Sequence, residues 1–288
     1  MTSTSGPADS RTAVAPVPKD ASTVVLLRDG TDGLEVFLLR RVKEMAFAGG
    51  MTVFPGGGVD ASDIDTEIGW AGPDASWWAE RFATDERTAK ALVCAAVRET
   101  FEECGVLLAG PTADSVVSDT ARYTHERTRL EARELSFTDF LAREGLVLRS
   151  DLLRPWANWI TPVGEKRRYD TRFFVAAAPD GQDADGATSE AEAVRWLGPQ
   201  DALAQWRGGD TVLLPPTWAQ LVSLTGYARV ADVLAAEPEI PVILPVLEND
   251  PGTGVRVRFP DQQDYYAAGA HPWSPRLEDG GTAPASAQ

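Results

Sequence analysis

Residues 98–106 read Arg98-Glu99-Thr100-Phe101-Glu102-Glu103-Cys104-Gly105-Val106. On a helix, Glu99 lies three and four residues before Glu102 and Glu103, so the three carboxylates project from one face about a turn apart. Arg98 stands four residues before Glu102 and can hold that carboxylate in place. Gly105 follows at a position typical of a helix C-terminus. These nine residues therefore predict the end of a helix that carries a carboxylate cluster.

A carboxylate cluster of this kind is a candidate site for a hard divalent cation. Mg²⁺ and Mn²⁺ take carboxylate oxygens together with water and substrate phosphates. Like charges this close are costly unless a cation or water neutralises them. The alternative is a solvated acidic helix end, because Glu-Glu pairs are common on exposed helices. The residues upstream favour the cation site.

A glycine loop precedes the cluster and reads Phe54-Pro55-Gly56-Gly57-Gly58-Val59-Asp60. The two stretches together resemble the Nudix box, written G-x5-E-x7-R-E-U-x-E-E-x-G-U with U an aliphatic residue. The family pattern places its Arg 14 positions after its Gly, whereas Gly57 and Arg98 are 98 − 57 = 41 positions apart. The resemblance therefore implies a Nudix hydrolase whose box is split by an insertion. It also implies that Mg²⁺ or Mn²⁺ is held by Glu99, Glu102, Glu103 and Gly57, with Arg98 as a further catalytic residue.

The insertion covers roughly residues 61–86 and is rich in rings, namely Trp70, Trp77, Trp78 and Phe82. A disordered segment seldom carries so many aromatic side chains, so we expect the insertion to fold back and bury them.

The first glutamate of the box is replaced in this chain. Counting eight positions back from Arg98 gives Lys90. The corresponding carboxylate is therefore either missing or supplied by Glu86 or Asp85. The substitution affects one outer contact of the site and leaves the three central carboxylates in place.

Composition and charge exclude several classes of partner. The chain has 288 residues, 43% of them hydrophobic, and a net charge of −16. Such a charge repels a nucleic-acid backbone and an anionic membrane, so neither is expected as a partner. The N-terminal residues lack the basic start and apolar segment of a signal peptide, which predicts a cytoplasmic protein. Cys94 and Cys104 are ten residues apart on one predicted helix, about 15 Å along its axis, too far to form a disulfide.

The pattern of apolar residues predicts an α/β protein. Residues 21–28 and 34–40 are strand-length runs joined by a hairpin turn, and residues 85–104 have helical spacing. Later elements are expected as strands at 156–161 and 172–178, helices within 110–150 and 203–236, and a hairpin of 240–247 with 254–259, its first strand at a sheet edge. The Nudix resemblance implies an α/β/α sandwich with a mixed sheet. We expect a flexible arm at 1–20, a Nudix domain at 21–265 and a tail at 266–288.

Part of the sequence resembles the coenzyme A diphosphatases among the Nudix enzymes. That family carries L-L-T-x-R thirteen residues before the Phe of F-P-G-G, and here Arg41 lies thirteen residues before Phe54. The family's Thr is replaced by Leu39, and its Leu-Arg step by Met45-Ala46. Residues 45–47, 159–162 and 166–174 extend the likeness to the branch with an interrupted box, which includes a peroxisomal enzyme. The resemblance covers roughly residues 20–265 and implies that Arg41, Phe54, Gly56 and Gly57 contact the substrate.

A basic cluster stands out in this acidic chain and consists of Lys166, Arg167, Arg168 and Arg172. Guanidinium groups suit phosphate binding, so Arg168 and Arg172 are candidate substrate contacts. A solvated strand edge is an equally good interpretation of the cluster. Nearby, Trp159 and Tyr169 are either stacking platforms for an adenine or core residues.

Two acids on a later loop are candidates for the general base. Nudix enzymes take the proton of the attacking water with a carboxylate, either in the box helix or on a loop before a late Trp. Glu190 and Glu192 precede Trp196 by six and four residues. The spacing favours Glu190, and a solvated loop acid is the alternative for each.

The resemblance implies a hydrolase that cleaves a nucleoside diphosphate linked to another moiety. The leading substrate is coenzyme A or an acyl-coenzyme A, cut to phosphopantetheine and adenosine 3',5'-bisphosphate. One rival is an ADP-ribose or NADH diphosphatase. Another is a non-catalytic Nudix domain that binds a nucleotide, supported only by Lys90. The expected partner is a small nucleotide, and the sequence leaves a homodimer open.

Overall fold

The computed structural model describes residues 15–43, 48–64, 68–251 and 254–268. Its strands are β1 Lys19–Gly30, β2 Gly33–Arg41, β3 Thr52–Val53, β4 Gly56–Gly58, β5 Gly69–Ala71, β6 Ala109–Gly110, β7 Val147–Arg149, β8 Leu153–Ile160, β9 Tyr169–Ala177, β10 Ala191–Leu197, β11 Val242–Ile243, β12 Val246–Asp250 and β13 Gly254–Arg258. Its helices are α1 Ala61–Ile64, α2 Ala75–Phe82, α3 Glu86–Cys104, α4 Thr124–Glu131, α5 Phe137–Glu144, α6 Pro199–Gly208, α7 Pro215–Leu224, α8 Val230–Leu234 and α9 Gln262–Ala268.

The central sheet is mixed, as the sequence predicts. Its strand order is β10-β2-β1-β9-β8-β11, with β3 added to β2 and β4 added to β1. Strand β1 pairs in parallel with β9 and antiparallel with β2, which is the predicted N-terminal hairpin.

Two hydrophobic cores lie on opposite faces of this sheet. Because side chains alternate along a strand, Val24 and Leu26 of β1 enter one core while Val25 and Leu27 enter the other. Helix α3 packs in the first core and helices α6 and α7 pack in the second. The α/β/α arrangement confirms the predicted fold class.

Helix α3 follows directly from its sequence. Asp85 caps its first turn by accepting a hydrogen bond from the backbone N–H of Thr88. Gly105 ends it in the left-handed conformation, with φ of 73°. Cys94 and Cys104 are both free and buried, as predicted for two cysteines too far apart to pair.

The insertion folds back onto the sheet. Trp78 and Phe82 of α2 are buried and contact Phe174 of β9, with ring centroids 5.5 and 5.1 Å from it. This confirms the expectation for two of the four rings, since Trp77 is exposed and Trp70 half-buried.

The late hairpin differs from its prediction. Residues 242–243 form the sheet-edge strand β11, and the hairpin partner of β13 is β12, which begins at Val246. Pro245 separates these strands because it has no N–H to donate to a ladder.

The predicted arm and tail lie mostly outside the described residues, and β1 already begins at Lys19. Among the residues that are described, no helix combines the length and apolar character needed to cross a bilayer.

Candidate active site

The C-terminal turns of α3 and the glycine strand β4 form one end of a cavity of about 520 Å³. Glu99 and Glu103 line this end together with Gly56 and Gly57. The backbone N–H of Gly56 donates to Glu103 Oε2 at 2.7 Å. The structure therefore brings the two halves of the split motif together, although they are far apart in sequence.

Gly57 lacks a side chain at the point where the loop meets the helix. A Cβ atom there would lie 2.6 Å from the Glu99 Cδ. A Cβ at Gly58, by contrast, would meet only the Asp20 carbonyl at 3.9 Å. A side chain at position 57 would therefore displace the Glu99 carboxylate from its place beside β4.

Arg98 connects the acidic side chains of the cluster. Its guanidinium is buried and contacts Glu99 at 2.7 Å and Glu102 at 3.5 Å. It also pairs with Asp63 at 2.9 Å and donates to the Gly58 carbonyl at 2.9 Å. Arg98 thus joins the insertion, the glycine strand and the helix face.

Neither Asp85 nor Glu86 supplies a carboxylate to the cluster, and the buried acid that joins it from outside α3 is Asp63, which pairs with Arg98. Asp85 caps the start of α3 and Glu86 is exposed beside it, about 20 Å along the helix axis from Glu99. Asp63 is fully buried against Arg98. Counting positions along the helix does not find Asp63, because this carboxylate lies in the insertion, which folds back against α3.

Burial raises the pKa of all three glutamates. It raises the pKa of Glu99 although the charge of Arg98 opposes the shift. Burial and the neighbouring Glu99 raise the pKa of Glu102 to about 7 and that of Glu103 well above its ordinary value. The cluster therefore disfavours its own full ionisation, and a cation would relieve that cost.

Of the two loop acids, the structure brings only Glu190 to the cavity. Glu190 lines it and pairs with Arg41 at 2.5 Å. Glu192 lies at a bulge in β10, between Ala191 and Ala193, is 53% exposed and approaches Arg40 at 3.9 Å. Arg41 lines the same cavity, as does Phe54, which is buried.

The basic cluster divides between the protein interior and the cavity. Arg168 donates to the carbonyls of Thr161 and Pro16, and Arg172 pairs with Asp170 at 2.6 Å. Both side chains are buried, so these contacts differ from the predicted phosphate contacts. The basic residue of the cluster that lines the cavity is Arg167.

One wall of the cavity is largely apolar and aromatic. Trp159 and Tyr169 line it, together with Pro162, Pro215, Pro216 and Val257. Trp159 belongs to the second core, as one of its two interpretations predicts, and it also lines the cavity.

A family model of the NUDT19 Nudix domain matches residues 79–224, which is 146 of the 288 residues. The chain belongs to this Nudix family. The matched segment contains all of α3 and its carboxylates, and the glycine strand precedes it.

Curated relatives share the family at low identity. The acyl-coenzyme A diphosphatase NUDT19 of Gallus gallus is 29% identical over 69% of this chain. The Homo sapiens protein of the same name is 26% identical over 70% of this chain. In both cases the match spans 63% of the relative's length, so this chain covers less than two thirds of either protein.

A solved Nudix structure supports the same fold. The NUDIX hydrolase from Alicyclobacillus acidocaldarius superposes with a TM-score of 0.66 at 26% sequence identity, covering 80% of this chain and 100% of that one. The Nudix fold of the chain is thus established by sequence and by structure.

Two residues at the site were not assigned a role by the sequence motifs. Asp63 follows the glycine motif by three residues, and only its burial against Arg98 gives it a place in the site. Arg133 lines the cavity from a segment without any family motif. No local pattern marks it, because the turn after α4 brings it to the site.

Proposed function

We propose that this Nudix protein hydrolyses the diphosphate of coenzyme A or an acyl-coenzyme A. The products would be phosphopantetheine, or its acylated form, and adenosine 3',5'-bisphosphate. One observation carries the proposal: Glu99 and Glu103 meet the glycine strand at the acidic end of a ligand-sized cavity. Cavities of roughly 300–1,000 Å³ are typical of small-molecule sites.

The carboxylates fit Mg²⁺ or Mn²⁺ as a cofactor. Among the described residues, no three acidic, His or Cys side chains already converge as a complete metal site. The donors are nevertheless buried oxygens with raised pKa values, and a hard cation completes its coordination with water and phosphate oxygens. Glu99, Glu102, Glu103 and the backbone of Gly57 would hold it. When bound, such an ion polarises a phosphate and makes water easier to deprotonate.

The chain's own residues then have separate tasks. Arg98 orients Glu99 and Glu102 through its contacts at 2.7 and 3.5 Å. Glu190 faces the cavity and accepts the proton of the attacking water, with Arg41 holding its carboxylate. Arg41 is also the family's marker for coenzyme A and can exchange partners when an anionic substrate arrives.

Two observations favour coenzyme A over other nucleotides as the proposed substrate. Two vertebrate relatives are named acyl-coenzyme A diphosphatases. The cavity also combines its acidic end with an apolar wall that includes Trp159 and Tyr169. Such a wall suits an adenine ring and a pantetheine chain, and Arg167 beside it suits a phosphate.

Two alternative functions remain distinguishable. An ADP-ribose or NADH diphosphatase would need no site for a 3'-phosphate. A non-catalytic nucleotide-binding domain is supported by Lys90 at the first box position. That support is weak, because Asp63 supplies a carboxylate to Arg98 instead.

The proposal is tested by product analysis in Mg²⁺ and in Mn²⁺. The compounds compared are coenzyme A, dephospho-coenzyme A, ADP-ribose and NADH. Coenzyme A should be cleaved fastest, and Arg41→Ala should narrow its advantage over dephospho-coenzyme A. Glu103→Gln should lower kcat on the order of 100-fold by removing a metal ligand. The matched control is Glu86→Gln, an exposed glutamate at the far end of the same helix. Equal rates with and without the 3'-phosphate would contradict the coenzyme A assignment, and no turnover of any substrate would favour the binding domain.

A further inference from the structure

Arg133 is one of the cations that line the cavity. It follows α4, is exposed, and lines the same cavity as Glu99, Glu103 and Glu190. No described residue forms an ion pair or hydrogen bond with its guanidinium. The side chain is therefore available to a ligand.

The backbone at Arg133 has a conformation that usually selects glycine. Its φ is 58°, fixed by a hydrogen bond from its N–H to the Leu130 carbonyl at 2.8 Å and by another from Glu134 to Arg129 at 2.8 Å. Helices α3, α5 and α6 of this chain end on glycines in the same left-handed region, with φ of 73°, 63° and 82°. An arginine there costs conformational energy, and such costs concentrate at functional positions.

The charges that line the cavity indicate the class of ligand that Arg133 suits. The acids that line it are Glu99, Glu103, Glu165 and Glu190, and the cations are Arg41, Arg133 and Arg167. Arg41 is paired with Glu190, and Arg167 lies on the β8–β9 connection beside Tyr169. An anionic diphosphate that approaches the carboxylates must overcome their repulsion, and a forked guanidinium is well suited to bind phosphate oxygens.

We propose that Arg133 binds the diphosphate group of the substrate at the acidic end of the cavity. This inference rests on the proposed function for its ligand, because it names the residue that receives the scissile diphosphate. It replaces the phosphate contacts that the sequence predicted for the buried Arg168 and Arg172.

Binding of methylenediphosphonate, a diphosphate that cannot be hydrolysed, tests the inference by calorimetry in excess Mg²⁺. Arg133→Ala and Arg133→Gly should each weaken binding about tenfold, the usual effect of one lost charge-assisted contact. Arg133→Lys should recover part of the loss. The glycine variant accepts the positive φ without strain, so its melting temperature should equal or exceed that of the parent protein.

Arg143→Ala is the matched control. Arg143 is an exposed arginine at the end of α5, so its substitution removes the same charge at a position outside the cavity lining. It should leave the affinity unchanged. Equal affinities of the Arg133 and Arg143 variants would overturn the inference, and so would failure of the parent protein to bind the probe. Since the probe is not turned over, these results are independent of the substrate panel, which tests the proposed function.

Discussion

Arg98 determines the geometry of the acidic end of the cavity because its guanidinium lies within 4.0 Å of four acidic side chains. Its pairing with Asp63 is fully buried, and Asp60 lies at 4.0 Å and is 37% exposed. A buried guanidinium that loses its partner is left with an uncompensated charge, whereas an exposed acid contributes little. The two aspartates, three residues apart, therefore have different energetic weight.

We expect Asp63→Asn to lower the free energy of unfolding by about 3 kcal/mol, the usual cost of breaking a buried pair from one side. Activity should fall as well, since Arg98 would no longer hold Glu99 and Glu102 in place. Urea unfolding followed by circular dichroism measures the first effect. Asp60→Asn should change stability by less than about 1 kcal/mol. Similar losses in both variants would show that burial does not distinguish the two acids.

Glu190 and Glu192 provide a second pair of neighbouring acids with different surroundings. Glu190 lines the cavity, and Glu192 is exposed at the β10 bulge. If Glu190 is the general base, Glu190→Gln should lower kcat by about 10²- to 10⁴-fold and remove the acidic limb of the pH–rate profile. Glu192→Gln should leave both unchanged. Retention of the acidic limb in Glu190→Gln would return the role of base to α3.

At the scale of elements, the contact between β4 and α3 builds the site. A Cβ at Gly57 would collide with the Glu99 carboxylate, whereas a Cβ at Gly58 would make only an ordinary contact with the Asp20 carbonyl at 3.9 Å. Gly57→Ala should therefore displace Glu99 and lower kcat on the order of tenfold or more, because ligand positions must be held to within about half an ångström. Gly58→Ala should retain near-parental kcat. Steady-state kinetics at saturating substrate compares the two, and equal activity would mean that Glu99 moves aside without cost.

The elements also show which features a sequence can predict. Helix α3 was predicted at nearly its observed bounds because capping residues and periodic apolar side chains are local signals. The contact of Asp63 with Arg98 was not predicted, because it depends on how the insertion folds back over 35 positions. Arg168 and Arg172 were assigned to phosphate on residue type alone, and burial against backbone and aspartate partners is a tertiary property. The same limit applies to β12, where Pro245 shifted the start of the hairpin.

At the scale of the whole molecule, the two cores bury the carboxylate cluster within an acidic protein. The net charge of the protein is −16, and this negative charge opposes the ionisation of further carboxyl groups at the site. Burial raises the pKa of Glu99, Glu102 and Glu103, with a value of about 7 for Glu102. Between the unfolded and the folded pKa of such a carboxyl group, the folded protein therefore keeps a proton that the unfolded chain has lost.

This linkage predicts how stability depends on pH without a divalent ion. A carboxyl group whose folded pKa lies above its unfolded value stabilises the fold below about pH 4.5 and loses that contribution as the pH rises through about 7. The loss attributable to Glu102 is on the order of a few kcal/mol. In EDTA, the melting temperature should therefore fall between about pH 5 and pH 7. Excess Mg²⁺ should offset much of that fall, because the ion binds the ionised carboxylates of the folded state.

The variant Glu102→Gln distinguishes the titration of the site from that of the protein's other ionisable groups. It removes the group that ionises near pH 7, so its melting temperature in EDTA should depend less on pH than that of the parent protein. Acids with lowered pKa values, such as Asp74, Asp85 and Asp151, finish titrating below this range and do not contribute. Thermal melts at several pH values in EDTA and in Mg²⁺ measure both effects. Identical pH slopes for parent and variant would show that the cluster is already fully ionised in the folded protein, and the cation requirement would lose its electrostatic basis.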